Sequence, residues 1–230
     1  MKKLIIYFLI MTLSSAFLSA QSPDKSNTAW IISSDLPKGI NNSITLKIGD
    51  KLSEIILSKR GPSEPIKIPT DGIISILQKL DNPENPSKPS YVTLSEVKID
   101  NRISNALIIL VPDLKDPAQL TFQNKVQDLA SFSNGEWLFI NTTKFKVRID
   151  MNDDKLIINP DENSIFKAKI TTEPTRMAMR YRPDNDETEN WKLINSSSVS
   201  TYDTRREICI FSWDERFKRI DYHGMTLPVM

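Results

Sequence analysis

The stretch DMNDDKLIINPD, residues 150–161, is where residue types and spacing come nearest to metal chemistry. Against the calcium-loop template D-x-[DN]-x-[DN]-G-x5-E, Asp150, Asn152 and Asp154 supply oxygens at the first, third and fifth positions, and Asp161 falls on the twelfth. Lys155 stands where glycine must make the sharp turn, and the closing acid is Asp, which lacks the bidentate reach of Glu. The flanks FKVRI and IFKAKI alternate as strands do, whereas a calcium loop of this type sits between helices. The first half of the chain carries a counterpart, GDKLSEIILSKR, that keeps the strand-turn-strand pattern and loses most of the acids. The stretch is therefore expected to be a hairpin with an acidic tip, at most a weak cation site, and no metal or cofactor is predicted.

Other chemistries are short of parts. His223 is the only histidine and Cys209 the only cysteine, too few for a zinc site built on two or more such ligands. Cys209 lies in the apolar run EICIF, which predicts a buried, inert thiol. No G-x-S-x-G elbow offers a nucleophile for His223, and the six glycines form no phosphate-cradling loop. Paired carboxylates remain, at Asp184, Asp186, Glu187, Glu189 and in Asp161-Glu162-Asn163, but acids in proline-rich loops serve turns and solvation as readily as glycoside hydrolysis. No catalytic residue is assigned. Trp137, Trp191 and Trp213 would stack on sugar rings if exposed, although large aromatics at strand positions usually pack inward. The sequons at Asn41, Asn141 and Asn195 matter only in a glycosylating pathway; the first two also suit strand-entry turns.

The elements that must position these residues are read mainly as strands. Ser43 to Ile48 and Lys144 to Ile149 alternate apolar and polar residues, the period-two mark of a half-buried strand. Short strands are expected at Glu54 to Leu57, Pro65 to Ile68, Lys155 to Ile158 and Ile165 to Ile170, then YVTL and WKLI after loops rich in Pro, Asn and Asp. The runs ALIILV and EICIFSW are apolar without alternation, as in a central strand covered on both faces. Each is followed by a turn and a further alternating stretch that closes a hairpin. Helical signals are confined to Thr70 to Leu80, Val126 to Ala130 and Glu187 to Asn190, and fourteen prolines disfavour anything longer.

Shifted by 100 residues, the chain lies over itself: Gly39 to Ser43 over Phe139 to Thr143, Asp50 over Asp150, Tyr91 over Trp191, and Leu107 to Val111 over Glu207 to Phe211. The shared order predicts an internal repeat, and strands spaced 8 to 12 residues apart predict an all-β protein of two tandem immunoglobulin-like β-sandwich domains, residues 21–125 and 126–230. The segments WLFINTTKFKVRID and KLIINPDENSIFKAKI also resemble the opening of small secreted bacterial β-sandwich modules of unknown function. That resemblance implies an extracytoplasmic sandwich and transfers no activity or site residue.

The N-terminus, a Lys2-Lys3 pair, the apolar run Leu4 to Leu13 and a small-residue exit, reads as a signal peptide of residues 1–20, cleaved after Ala20 or, alternatively, Ala16. No other stretch approaches the roughly 20 apolar residues of a membrane span. Losing two lysines leaves 28 basic against 29 acidic residues, without the basic excess of a nucleic-acid binder; Arg205-Arg206 and Arg216 to Arg219 are only local clusters. The expectation is a periplasmic or secreted, non-catalytic protein that binds a protein or another envelope component, or serves as a structural part of the envelope. The alternative is a carbohydrate-binding or carbohydrate-acting protein using exposed tryptophans and loop carboxylates.

Overall fold

The computed structural model describes residues 27–36, 42–81, 89–113, 121–183 and 190–227; the predicted signal peptide and the acids of 184–189 lie outside them. In the first half, β1 (Thr28–Ser33), β4 (Ile66–Lys67), β7 (Asn105–Asp113) and β8 (Thr121–Asp128) form one sheet in the order β4-β1-β7-β8. Against it lies a sheet of β2 (Ser43–Ile48), β3 (Lys51–Ile56), β5 (Ile73–Leu80) and β6 (Ser90–Lys98), ordered β3-β2-β5-β6. In the second half, β9 (Glu136–Asn141), β12 (Asn163–Lys167), β15 (Arg206–Asp214) and β16 (Arg219–Leu227) are ordered β12-β9-β15-β16. Their companions β10 (Phe145–Met151), β11 (Asp154–Ile158), β13 (Thr175–Pro183) and β14 (Lys192–Val199) are ordered β11-β10-β13-β14. The described chain is thus nearly all strand, in two β-sandwiches.

The two continuous apolar runs explain how the sandwiches meet. Along β7, Ala106, Ile108 and Leu110 point into the first sandwich, while Leu107 and Ile109 point away from it. Along β15, Cys209 and Phe211 enter the second sandwich, while Ile208 and Ile210 face outward to meet Leu107 and Ile109. Successive side chains on a strand alternate faces, so a strand covered on both sides needs an apolar residue at every position. Ile32, Leu129, Phe132, Leu138, Ile140, Met225 and Leu227 complete this middle core. The result is four sheets stacked in layers: an outer sheet, two inner sheets joined by the middle core, and a second outer sheet. Full burial stabilises each such side chain by roughly 1.5–3 kcal/mol, so parting the sandwiches would forfeit a large share of the fold's stability.

Polar contacts lock the same seam. Lys125 on β8 donates to the Asp161 carbonyl at 2.9 Å and its carboxylate at 3.1 Å, and Asn163 donates to the Gln127 side chain at 2.8 Å. The buried Arg206 guanidinium donates to the Leu129 carbonyl at 2.7 Å and lies 5.3 Å from the Phe132 ring centroid.

Two of the three predicted helical segments differ from the reading of the sequence. The apolar residues of Thr70 to Leu80 that suggested a short helix belong to β5, where Ile74, Ile76 and Leu77 are all buried; the register shift beside Ile76 and Leu77 puts the extra residue, Leu94, on the partner strand β6. Val126 to Ala130 completes β8 and enters a 3-10 turn, Leu129–Ser131, whose start is capped by the Asp128 carboxylate accepting from the Ala130 amide at 2.9 Å. A cut at residue 125 would therefore divide β8. The expected turn at Glu187 to Asn190 lies outside the described residues except for Asn190.

The strand orders of the two halves coincide when strands are counted eight apart, and in both the first strand runs parallel to the seventh, β1 to β7 and β9 to β15. The residue offset is not constant. Leu107 corresponds to Ile208, an offset of 101, and the turn residue Gly49 to Asn152, an offset of 103. An offset of 100 along β7 would exchange the two faces of the strand, because side chains alternate with period two.

Candidate binding surfaces

The hairpin of residues 150–161 forms as expected, with its oxygens committed to separate partners. β10 pairs with β11 up to Met151 opposite Asp154, leaving a two-residue turn in which Asn152 takes a φ of 49°, a conformation Asn tolerates better than most residues. The Asn152 side chain accepts from the Arg176 amide at 3.1 Å. Asp150 accepts from Arg148 Nε at 2.7 Å and from Arg180 Nη1. Asp154 lies 3.7 Å from Lys169, and Asp161 holds Lys125 across the seam between the sandwiches. Among the described residues no three His, Cys, Asp or Glu side chains converge as metal ligands.

The aromatic candidates are also accounted for. Trp137 packs against the second core with its ring 5.8 Å from Phe139, and Trp213 does so 5.0 Å from Phe145. Trp191 is half-buried at the start of β14, with the guanidinium carbons of Arg182 and Arg148 at 4.8 and 5.8 Å from its ring. Cys209 is buried, and burial pushes its thiol pKa up. His223 stands opposite Ile210 on β16, 3.8 Å from Asp221; burial lowers its pKa, opposed by the Asp221 charge. Asn141 is fully buried and donates to the carbonyls of Phe145 and Asn159, so its sequon serves the crossover between sheets. Asn195 donates to the Tyr222 hydroxyl at 2.6 Å. The arginine clusters settle on local rings: Arg205 on Tyr202, Arg216 and Arg219 on Phe217.

Two surfaces stand out once these residues are placed. One is β3, the free edge of the first outer sheet: Leu52 and Ile56 are 49% and 71% exposed, and a groove of about 560 Å³ runs beside the strand, lined by Ile55, Ile56, Pro62, Ser63 and Glu64. The matching strand of the second half, β11, packs against β12 and β9 instead.

The other is the solvent face of the second outer sheet. Val147, Ile149, Met177 and Met179 point into the core, so the intervening Lys146, Arg148, Arg176, Arg180 and Arg182 point out. Pairing of β10 with β13 sets Arg148 opposite Arg180 and Lys146 opposite Arg182. Asp150 sits opposite Ala178, whose small side chain leaves a hollow of about 420 Å³ lined by Arg148, Arg176, Arg180 and Lys155, with Asp150, Asp153 and Asp154 on its acidic side. Sequence reasoning did not single out these cations. The signal was present as basic residues at alternate positions in FKVRI and RYR, but only the pairing of strands far apart in the chain gathers them.

Compared with known proteins, the chain matches no protein-family model, and a search of curated proteins returns no significant relative.

Proposed function

We propose that the chain is an exported, non-catalytic component of the bacterial envelope, built from two copies of one eight-strand unit, that binds a partner by strand addition at β3. The common strand order and the two matching parallel pairings support duplication, with insertions that move the offset from 101 to 103. The unit is immunoglobulin-like in its two packed sheets and its length of about 100 residues; its first strand, inserted between the fourth and seventh, is its own variation. No helix among the described residues is long and apolar enough to cross a membrane.

The observation that carries the binding mechanism is the exposed β3 edge. Natural sheets usually blunt such edges with charge, proline or a covering element, whereas here Leu52 and Ile56 lie exposed on one face of an edge strand beside an open groove. An extended segment pairing there would take its affinity from main-chain hydrogen bonds and its selectivity from the groove. Hydrogen exchange of the mature protein, with partners captured from the envelope fraction, tests this: β3 amides should gain protection, and Ile56→Lys should abolish capture without lowering the melting temperature. Unchanged exchange across residues 51–56 in the captured complex would refute the mechanism. N-terminal sequencing of the exported protein should begin at Gln21, or at Phe17 if cleavage follows Ala16.

The carbohydrate reading through stacked tryptophans has little to rest on, since Trp137 and Trp213 pack against the core and Trp191 lies among guanidinium groups.

A further inference from the structure

We infer that the segment added at β3 is a basic, amphipathic strand, with apolar side chains at alternate positions and a lysine or arginine between them. This rests on strand addition at β3 and specifies the occupant. Ile55 packs against the first core, so Leu52, Glu54 and Ile56 share the solvent face of the strand. An incoming strand therefore meets one carboxylate flanked by two exposed apolar residues. Opposite charges paired across neighbouring strands stabilise a sheet and like charges destabilise it, so this row selects a cation at its centre. The second half shows that the fold itself does not require an acid there. With the offset of 103 taken from the hairpin turns, Glu54 opposite Thr45 corresponds to Ile157 opposite Arg148.

The groove beside the strand carries the same sign. Its lining includes Glu54 and Glu64 and no lysine or arginine. Glu64 offers its main-chain carbonyl to the Ser63 hydroxyl at 2.8 Å, while its carboxylate enters no ion pair among the described residues. Glu54 does have a neighbour, Lys79 at 3.6 Å, but the two side chains are 62% and 49% exposed, and a pair so open to water is weak. Lys79 also reaches Glu54 from β5, across β2, and leaves clear the side that faces the free edge. The remaining local cations lie elsewhere. Lys47, opposite Leu52, and Lys51 stand at the start of the strand, Lys59 is held by Asp35, and Arg60 does not line the groove. Charge along the edge thus changes from basic at Lys51 to acidic at Glu54 and Glu64, which places the partner's cation over the later half of β3.

The test titrates the isotope-labelled mature chain with heptapeptides of the pattern Thr-Val-Thr-X-Thr-Val-Thr, where X is Lys, Gln or Glu and both ends are capped to remove terminal charge. The pattern reads the same in either direction, so it pairs with β3 whether the added strand runs parallel or antiparallel. Amide resonances of residues 51–56 should shift with each peptide. The Lys peptide should bind about fivefold or more tighter than the Glu peptide, with Gln between them. That preference should shrink from about 0.01 M to about 1 M salt, as the screening length falls from about 30 to about 3 Å. Glu54→Lys/Glu64→Lys should reverse it in favour of the Glu peptide, a result that a merely weakened fold does not give. Replacing both Val residues of the Lys peptide by Ser should weaken binding about threefold or more. Equal affinity for the three charge variants, all shifting residues 51–56, would overturn the inference and leave strand addition standing, as would an unchanged affinity for the Ser peptide. No shift in residues 51–56 with any peptide would overturn both.

Discussion

Replacing Asn141 by Leu removes the most densely used buried polar group in the structure and keeps its approximate volume. The Asn141 side chain is fully buried where β9 leaves the inner sheet for β10. Its amide donates to the carbonyls of Phe145 at 2.7 Å and Asn159 at 2.9 Å, and its oxygen accepts from the Thr143 amide at 3.1 Å and hydroxyl at 2.8 Å. Leucine satisfies none of these. The Thr143 hydroxyl can turn toward the Phe145 carbonyl, already 3.4 Å away, which relieves two of the four groups. The Asn159 carbonyl and the Thr143 amide are left, and each buried polar group without a partner costs about 1–3 kcal/mol. A loss of about 3–4 kcal/mol is therefore expected, against a total stability on the order of 5–15 kcal/mol for a folded protein.

For a chain of this length about 1 kcal/mol shifts the midpoint by roughly 2–4 °C, so the melting temperature should drop about 10 °C. Urea unfolding followed by circular dichroism measures the free energy directly. A double-mutant cycle with Thr143→Val should give a coupling of about 0.5–3 kcal/mol, because the two side chains share one network. A loss below about 1 kcal/mol for Asn141→Leu would refute the reasoning, since it would mean that water reaches these groups and that the crossover is not sealed as the hydrogen bonds imply.

Ile210→Asp places an unpaired carboxylate in the middle core; calorimetry should then resolve two unfolding transitions in place of one, and a single unshifted transition would count against the layered arrangement. Gly72 has a φ of 70°, and an added Cβ would meet the Ile99 carbonyl oxygen at 2.3 Å; Gly72→Ala should cost about 2–4 kcal/mol from strain and clash, whereas Gly49→Ala, at a φ of 56° with open space, should cost only about 1 kcal/mol in the same urea assay. His223 has a pKa lowered in the folded state, so on acidification the unfolded chain takes the proton first. Its contribution to stability is complete above the unfolded value of about 6.5 and is lost as pH falls through it toward the folded pKa. His223→Gln should flatten that part of the stability–pH curve, and an unchanged slope would assign it to other groups.

The features legible in the sequence are those that depend on neighbours along a strand. Alternation in SITLKI and FKVRI identified half-buried strands, and the unbroken runs ALIILV and EICIFSW announced strands covered on both faces. What stayed hidden depends on register and on partners distant in the chain. Ile76 and Leu77, buried next to each other on β5, imitate a helical spacing, and no local signal marks the bulge at Leu94 of β6 that lies opposite them. Asp161 reads as the last acid of a metal loop until Lys125, from the other sandwich, is found beside it. The cations of β10 and β13 lie about thirty residues apart, and the antiparallel pairing of Arg148 with Arg180 follows from no local signal.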